Sequence, residues 1–517
     1  MLWTNTKIIA WTAGVILFGL ARYPLVHGAT NPPPKIPVIL WFDTEDYLLP
    51  ASDDVAKRLA EILTAKGVRA TFKIVGEKAR VLEQRGRQDV IAALKKHDVA
   101  YHANLHSVHP TPSEYLADCG FLDGVAEFLR REGGGAADVR RIFGVSTLAC
   151  YGQPGSSWAP QAIAALKTIG VEVHGTPCYV DEGTHVGLNG QPFWYGGALM
   201  VYHMAPNYTR MELHDPGAVE SGKQEVKSIA DRLRQTSHGG LISIFYHPCE
   251  WVHQEFWDGV NFRRGANPPR EQWHPPPQRP AAETEQAFRR FSDYIDYILS
   301  LPDVRFVTAS DLPALYPDQT RSPGATASDL RALAERLAAN DSKGIDYCVI
   351  GNKAFSAADQ FELLAVAVRD LALDQPAVFP QAATGMLGPD SAPGETVVLN
   401  EPVSWPAFRD AVRDVCDYLQ TQHRVPPRVY IGAKAVPPAD FLSGLASAWL
   451  GRQRGTWPPP NGVRLGSGVA LLSERCIAQD TPDLFGGWVI HPEGFRAPKI
   501  VAVARLQAWT IKPALPQ

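Results

Sequence analysis

Between about residue 37 and residue 316 the chain alternates short β-rich runs with amphipathic helical runs, and no other feature restricts the fold as strongly. "PVILWFDTED" reads as a buried strand, "SDDVAKRLAEILTAKG" as a helix opened by Ser52 and closed by Gly67, and "VRATFKIVG" as the next strand. The beat continues through helix "VIAALKKHD", strand "VAYHANL", helix "SEYLADCGFLDGVAEFLRREGG", strand "VRRIFGVS", helix "APQAIAALKTIG" and strand "VEVHGTP". An irregular β-rich stretch, "PFWYGGALMVYHM", follows. The alternation then resumes with helix "KQEVKSIADRLRQTSHG", strand "GLISIFYHP", helix "ETEQAFRRFSDYIDYILSL" and strand "VRFVTAS". Roughly seven such units imply a parallel sheet, most simply an α/β barrel. Chemistry in such barrels sits at the C-terminal ends of strands, where side chains from distant parts of the sequence meet on one rim.

Those ends carry the polar residues. "FDTED" closes the first strand with Asp43, Glu45 and Asp46, "YHANLH" a middle one with His102 and His106, and "FYHPCE" a late one with His247. A divalent metal held by one carboxylate and two imidazoles keeps positions open for water and for a carbonyl oxygen. A further carboxylate can take a proton from the water, and a separate His can protonate the leaving group. The reaction class is metal-assisted hydrolysis of an amide or ester. Taken singly, Asp43 or Glu45 reads as an ordinary strand-end or capping acid, and only the His pair lifts them above that. His109, just before Pro110, is read as a loop residue or an outer partner of the site.

At 517 residues the chain is long enough for roughly two to four domains. Its net charge of −4, without any basic run, excludes nucleic acid as the main partner. The start, "MLWTNTKIIAWTAGVILFGLARYPLVHGATNPPPK", orders one Lys, an apolar run, small residues and a Pro-rich linker, as a secretory signal does. Residues 1–30 are therefore expected to be a signal peptide or an uncleaved N-terminal anchor, the only membrane contact expected. Either way the folded part is sent to the periplasm, the cell envelope or the medium. The seven Cys form no CxxC pair, which argues against a Cys-ligated zinc cluster.

After the linker "YPDQTRSPGATASD" the beat stops and an internal repeat replaces it. "VIGNKAFSAADQFELLA" aligns without gaps with "YIGAKAVPPADFLSGLA", matching Gly351 to Gly432, Lys353 to Lys434 and Asp359 to Asp440. Each copy follows a helix, "SDLRALAERLAA" or "SWPAFRDAVRDVCDYLQTQ". The expected division is a catalytic barrel over residues 31–318 and a repeat-built binding region over 319–517. The alternative is that the repeat completes a larger fold.

Over about residues 36 to 316 the ordered motifs "WFDTEDY", "HANLH", "YGQPGSSW" and "LISIFYHP" resemble those of the polysaccharide deacetylases of the NodB-homology type, carbohydrate esterase family four. The resemblance implies a deformed (β/α)7 barrel, Asp43 as general base, His102 and His106 as metal imidazoles, and His247 as general acid. The family's metal carboxylate commonly follows the base directly, where this chain has Thr44. Glu45, on the same strand face as Asp43, is then the first choice of ligand and Asp46 the second. The ligand set suits zinc and also accepts cobalt, nickel or manganese. Gln153, before Pro154, stands where the family has an Arg that orients the base, and Gln cannot supply charge. That departure leaves room for a shifted substrate, a cation from elsewhere, or a weakened enzyme. Gln153 and Pro154, with Trp158, His174, Trp194, Tyr195 and Trp251, are candidates to line a carbohydrate groove. The final repeat, "RVPPRVYIGAKAVPPADFL", is similar to pseudomurein-binding repeats, which implies a cell-wall or glycan polymer as partner.

The expected activity is removal of acetyl groups from an N- or O-acetylated glycan. Two rivals stand beside it: hydrolysis of a small amide or cyclic imide in a deep closed pocket, and glycan binding on a catalytically degenerate barrel.

Overall fold

The computed structural model describes residues 36–181, 185–202, 207–236, 240–339 and 344–517. The expected leader at residues 1–30 lies outside the described residues. Among those described, no helix is long and apolar enough to cross a membrane. The first part of the chain supplies strands β1 (Ile36–Thr44), β2 (Thr71–Ile74), β3 (Asp98–Tyr101), β4 (Tyr151–Gly152) and β5 (Cys178–Asp181). β6 (Phe193–Tyr195), β7 (Ala198–Tyr202), β8 (Tyr208–Thr209), β9 (Ile242–Tyr246) and β10 (Val304–Val307) follow. Helices between them, such as Pro50–Ala65, Phe121–Phe143, Ala218–Arg234 and Ala281–Ser300, cover one face of the sheet.

β1 is central and paired along both sides. β9 runs beside Val38–Phe42, while β10 pairs with Ile36–Ile39 and β2 with Trp41–Thr44, all in parallel. Parallel pairing continues outward from β2 through β3 and β4 to β5, and β7 then runs parallel to β5. The antiparallel β6–β7 pair is the irregular stretch of the sequence. β8 ends the sheet beyond β9. Among the described residues the two ends do not pair, so this α/β sheet is curled and open, a deformed barrel.

Period-two alternation sorts β1 into two faces. Val38, Leu40 and Phe42 pack outward against the helices, whereas Ile39 and Trp41 face inward with Ala100, Cys150, Cys178 and Val180. The Trp41 indole N–H, buried there, donates to Ser243 Oγ on β9 at 2.9 Å. The inward register continues upward from Trp41 to Asp43, and this brings the polar residues to the C-terminal rim.

Two expected strands fall differently. "VRRIF" is the end of the long helix Phe121–Phe143, which Gly144 terminates at φ 59°. The amphipathic pattern runs on to that glycine, and a left-handed Gly is what stops it. "VEVHGTP" makes only isolated bridges at Val171, Val173 and Thr176, and the ladder proper begins at Cys178. All seven Cys are free thiols.

Both repeat copies fold alike. β11 (Cys348–Ile350) and β12 (Lys353–Phe355) form a hairpin before helix Ala357–Ala372, and β13 (Val429–Ile431) and β14 (Lys434–Val436) form one before helix Pro438–Gln453. Gly351 and Gly432 open the two tight turns at φ 59° and 60°. The helices share a core through Phe361, Phe408 and Phe441. The chain does not end there. Its last strand, β15 (Lys512–Pro513), pairs antiparallel with β6, and Phe485, Ala497, Ile500 and Ile511 join the core of the curled sheet. The described residues thus form one compact unit.

Lys512 locks this return. Its ammonium, buried, donates to Asp318 Oδ1 at 2.8 Å, Thr320 Oγ1 at 2.8 Å and Asp359 Oδ2 at 2.9 Å, joining the linker, the first repeat and the tail. Burial raises the Asp318 pKa, but Lys512 outweighs it and holds the carboxyl below its usual range. Lys512→Met strands two buried carboxylates and is expected to cost about 3–5 kcal/mol in urea unfolding at pH 7. Because the Asp318 pKa is depressed, its contribution exists above the unfolded value and is lost as pH falls through the folded one. The difference between the two proteins should therefore shrink in acid.

Candidate metal centre and active-site cleft

Three side chains from two strand ends converge above the inner face of the sheet. The Glu45 carboxylate, just past β1, meets the imidazoles of His102 and His106, just past β3, with one donor atom from each within 4.8 Å of the others. Glu45 Oε2 lies 3.3 Å from His102 Nε2 and 2.8 Å from His106 Nε2. All three residues are buried.

The outer ring nitrogens settle what the inner ones offer. His102 Nδ1–H donates to the Gly152 carbonyl at 2.9 Å. His106 Nδ1 lies 2.6 Å from Ser107 Oγ, whose own hydroxyl donates to Asp258 Oδ2 at 2.9 Å, so the imidazole must be the donor in that contact. Both Nε2 atoms then turn lone pairs toward a carboxylate oxygen. Three acceptors around one point need a cation, and two imidazoles with one carboxylate are a donor set that zinc-like ions take. The Gly152 and Ser107–Asp258 contacts fix the two rings, as outer partners of metal-bound His do. His106 sits at φ 57°, a left-handed conformation that β-branched residues avoid, which turns its ring back toward Glu45.

Glu45 itself is held ionised. Burial raises its pKa, but the surrounding imidazoles, His106 and His247 foremost, bring it well below the usual range. The Trp257 indole N–H occupies the other oxygen, donating to Glu45 Oε1 at 2.7 Å. Asp46 is not part of the donor set. Its Oδ1 accepts from the backbone N–H groups of Leu48 and Leu49 at 2.8 and 3.2 Å, and its Oδ2 lies 2.9 Å from His253 Nε2. Strand alternation past Asp43 points it to the turn instead of the cleft.

Asp43 lies beside the triad on the same strand face. Its Oδ2 is 3.8 Å from Nε2 of His102 and 3.8 Å from Nε2 of His247. Its Oδ1 is 2.6 Å from the Lys73 ammonium, and both side chains are 0% exposed. Lys73 is the register partner of Asp43 in the β1–β2 ladder. Gln153 donates to Asp181 Oδ1 at 3.0 Å, and the cation beside Asp43 is Lys73 on the neighbouring strand.

His247 is oriented from behind. Its Nδ1 meets Glu250 Oε1 at 2.5 Å, and Glu250 is held in turn by Arg210 at 2.6 Å. Burial lowers the His247 pKa, yet the charges of Glu45, Glu250 and Asp43 raise it to about 9. Its Nε2 faces Asp43 Oδ2 at 3.8 Å. His109 is spent on Glu114, at 2.7 Å, outside the cluster.

A cavity of about 410 Å³ opens over Glu45, His106 and His247. Its aromatic lining is Tyr208, Phe245, Phe256 and Trp488, with Arg263 and Glu255 among its polar residues. The expected groove residues lie elsewhere. Trp158 is buried and stacked on His185, Trp194, Tyr195 and Trp251 are core, Gln153 and Pro154 are buried behind Gly155, and His174 is exposed on a turn. An indole or phenol ring in a curled sheet fills the interior before it lines a rim. Lys73 had a signal in the sequence, a lone cation in an otherwise apolar strand. Glu250 had a weaker one, three residues from His247. Trp488 had none, standing in a region read as a separate module.

No family model matches the sequence, and no curated relative matches it. Among solved structures, a polysaccharide deacetylase candidate from Mycobacterium smegmatis aligns with 55% of this chain and 91% of its own at 15% identity and a TM-score of 0.34. A carbohydrate esterase family four enzyme of Streptococcus mutans aligns over 53% and 86% at 12% identity and a TM-score of 0.31. A pseudoenzyme of the same esterase family aligns over 55% and 68% at 12% identity and a TM-score of 0.26.

Zinc titrated into the full chain is expected to bind at one ion per chain by calorimetry. Glu45→Gln and His106→Ala should weaken binding by more than about 100-fold, and Asp258→Asn by roughly 10–100-fold as an outer partner. Asp46→Asn should stay within about tenfold of the parent, since its contacts are to a turn and to His253.

Proposed function

We propose that the protein is a metal-dependent hydrolase that removes acetyl groups from an N- or O-acetylated glycan. The observation that carries this reading is the placing of a three-donor cation site beside a buried carboxylate and an imidazolium that address the same small volume. Glu45, His102 and His106 would hold the ion. A divalent cation bound there supplies Lewis acidity toward a carbonyl oxygen and makes a water easier to deprotonate.

The rest follows from this chain's own groups. Asp43 is the acceptor for the proton of the attacking water. Its partner Lys73 pairs with Oδ1, leaving Oδ2 facing His102 and His247. His247 enters protonated and delivers its Nε2 proton to the departing nitrogen or oxygen. Glu250 sets the ring orientation and, with Asp43, stabilises the charged form. A base that accepts and an acid that donates, placed on either side of one small volume, is the arrangement acyl hydrolysis needs. The intact acid and base disfavour the degenerate binding reading. The signal-like start and the glycan-binding character read from the repeat support an exported protein held near a cell-wall polymer, which we include in the proposal.

Acetate release from acetylated glycans by zinc-loaded protein tests this directly. Asp43→Asn and His247→Ala are each expected to lower kcat/KM by roughly 10²–10⁴-fold while one zinc still binds. Activity untouched by both would remove them from the mechanism. Lys73→Met should lower kcat more than it changes KM and should cost about 3–5 kcal/mol of stability, because Asp43 is left buried without its partner. Lys73→Arg should recover part of both.

A further inference from the structure

The cleft is bounded by a segment from the far end of the chain. Residues Phe485–His491 cross the rim from the loop after β4 to the loop after β9. At the first end Ser156 Oγ–H donates to the Phe485 carbonyl at 2.9 Å. At the second the backbone N–H groups of Arg264 and Gly265 donate to the carbonyls of Val489 and Ile490, both at 2.9 Å. His491 ties the far end of the segment back to its start. Its Nδ1–H donates to Phe485 O at 2.7 Å and its Nε2 accepts from Thr111 and Ser113, both at 3.1 Å. Ile490 is fully buried in an apolar cluster with Tyr47 and Trp257, next to the Glu45 contact.

Trp488 and Val489 line the cavity from this segment, and Trp488 is its aromatic ring. Its ring meets His106 edge-on at 5.8 Å between centroids. It also lies so close to Gly155, at φ +48°, that a Cβ there would come within 2.5 Å of the indole. Position 155 therefore admits only glycine while the indole is in place. A wall with hydrogen bonds to its backbone at both ends and a buried anchor is fixed in place. The volume left, about 410 Å³, lies toward the small end of the roughly 300–1,000 Å³ of small-molecule pockets.

A sheet edge that binds a long chain must let it enter and leave along the rim. Here the His106 side is blocked. We propose that Phe485–His491 makes the site a pocket for a single acylated unit, free or at the end of a chain, and that Trp488 is the specificity-determining residue that excludes internal units. This rests on the hydrolase reading above and names the substrate class of that same site.

The test uses full-length, zinc-loaded protein with N-acetylglucosamine and acetylated xylose, each as monomer and as hexamer, with acetate measured and the deacetylated positions mapped by mass spectrometry. The parent protein is expected to act on monomers and on a terminal unit of each hexamer. Trp488→Ala is expected to raise release from internal units by roughly tenfold or more, and Trp488→Phe to keep the terminal pattern. Circular dichroism and the melting temperature check that the variants are folded. Internal units deacetylated from the start by the parent protein, or a pattern unchanged in folded Trp488→Ala, would overturn the pocket. If no acetate appears from any substrate, calorimetry separates the two ideas. Monomer bound by the parent protein, with a hexamer capped at both ends bound only by Trp488→Ala, keeps the pocket and removes the hydrolase, whereas no binding of any monomer, or a capped hexamer bound equally by both proteins, overturns the pocket as well.

Discussion

Everything at the site hangs on β1. It is hydrogen-bonded along both sides, to β9 on one and to β10 and β2 on the other, and its alternation is locked by two apolar layers that face opposite ways. A one-residue slip would bury Asp43 among the helices and expose Phe42, so the register is enforced by burial on both faces. The buried Asp43–Lys73 pair adds to that constraint. Two desolvated charges at matched positions of adjacent strands are tolerable only in this register, because an unpaired charge in the same place would be costly.

From that strand the chemistry spreads by short, directed contacts. Glu45 faces His102 and His106, whose far nitrogens are occupied by Gly152 and Ser107, while Asp43 faces His247, which is backed by Glu250 and Arg210. Each functional atom is turned to the cleft because its other side is already committed. The same logic separates the residues that do not belong. Asp46, Gln153 and His109 make their contacts elsewhere, with a turn and His253, with Asp181 and with Glu114.

The last third of the chain completes the sheet as well as forming its own repeat core. β15 extends the sheet edge, Lys512 ties the tail to the linker and to the first repeat, and Phe485–His491 walls the cleft. The two repeat copies keep one hairpin and one helix each but use their matched acids differently. Asp359 caps its helix at Ser356 and receives Lys512, while Asp440 accepts the backbone N–H groups of Gly468 and Val469. Duplication preserved the local fold, and each copy then met different neighbours.

Much of this was legible locally. Strand and helix periods, the terminating Gly67, the repeat and the polar strand ends are properties of short windows, and period-two alternation was enough to prefer Glu45 to Asp46. Other features were not. That "VRRIF" is helix depends on where Gly144 stops a long amphipathic run. That Lys73 is the cation beside Asp43 depends on strand pairing, and that Trp488 reaches His106 depends on a return of the chain across hundreds of residues. The sequence alone determined which side chains lie on which face of each element, because that follows from backbone geometry. Only the tertiary structure decided which faces meet and which polar atoms were left to converge, because pairing and long-range packing are chosen by the burial of the whole chain.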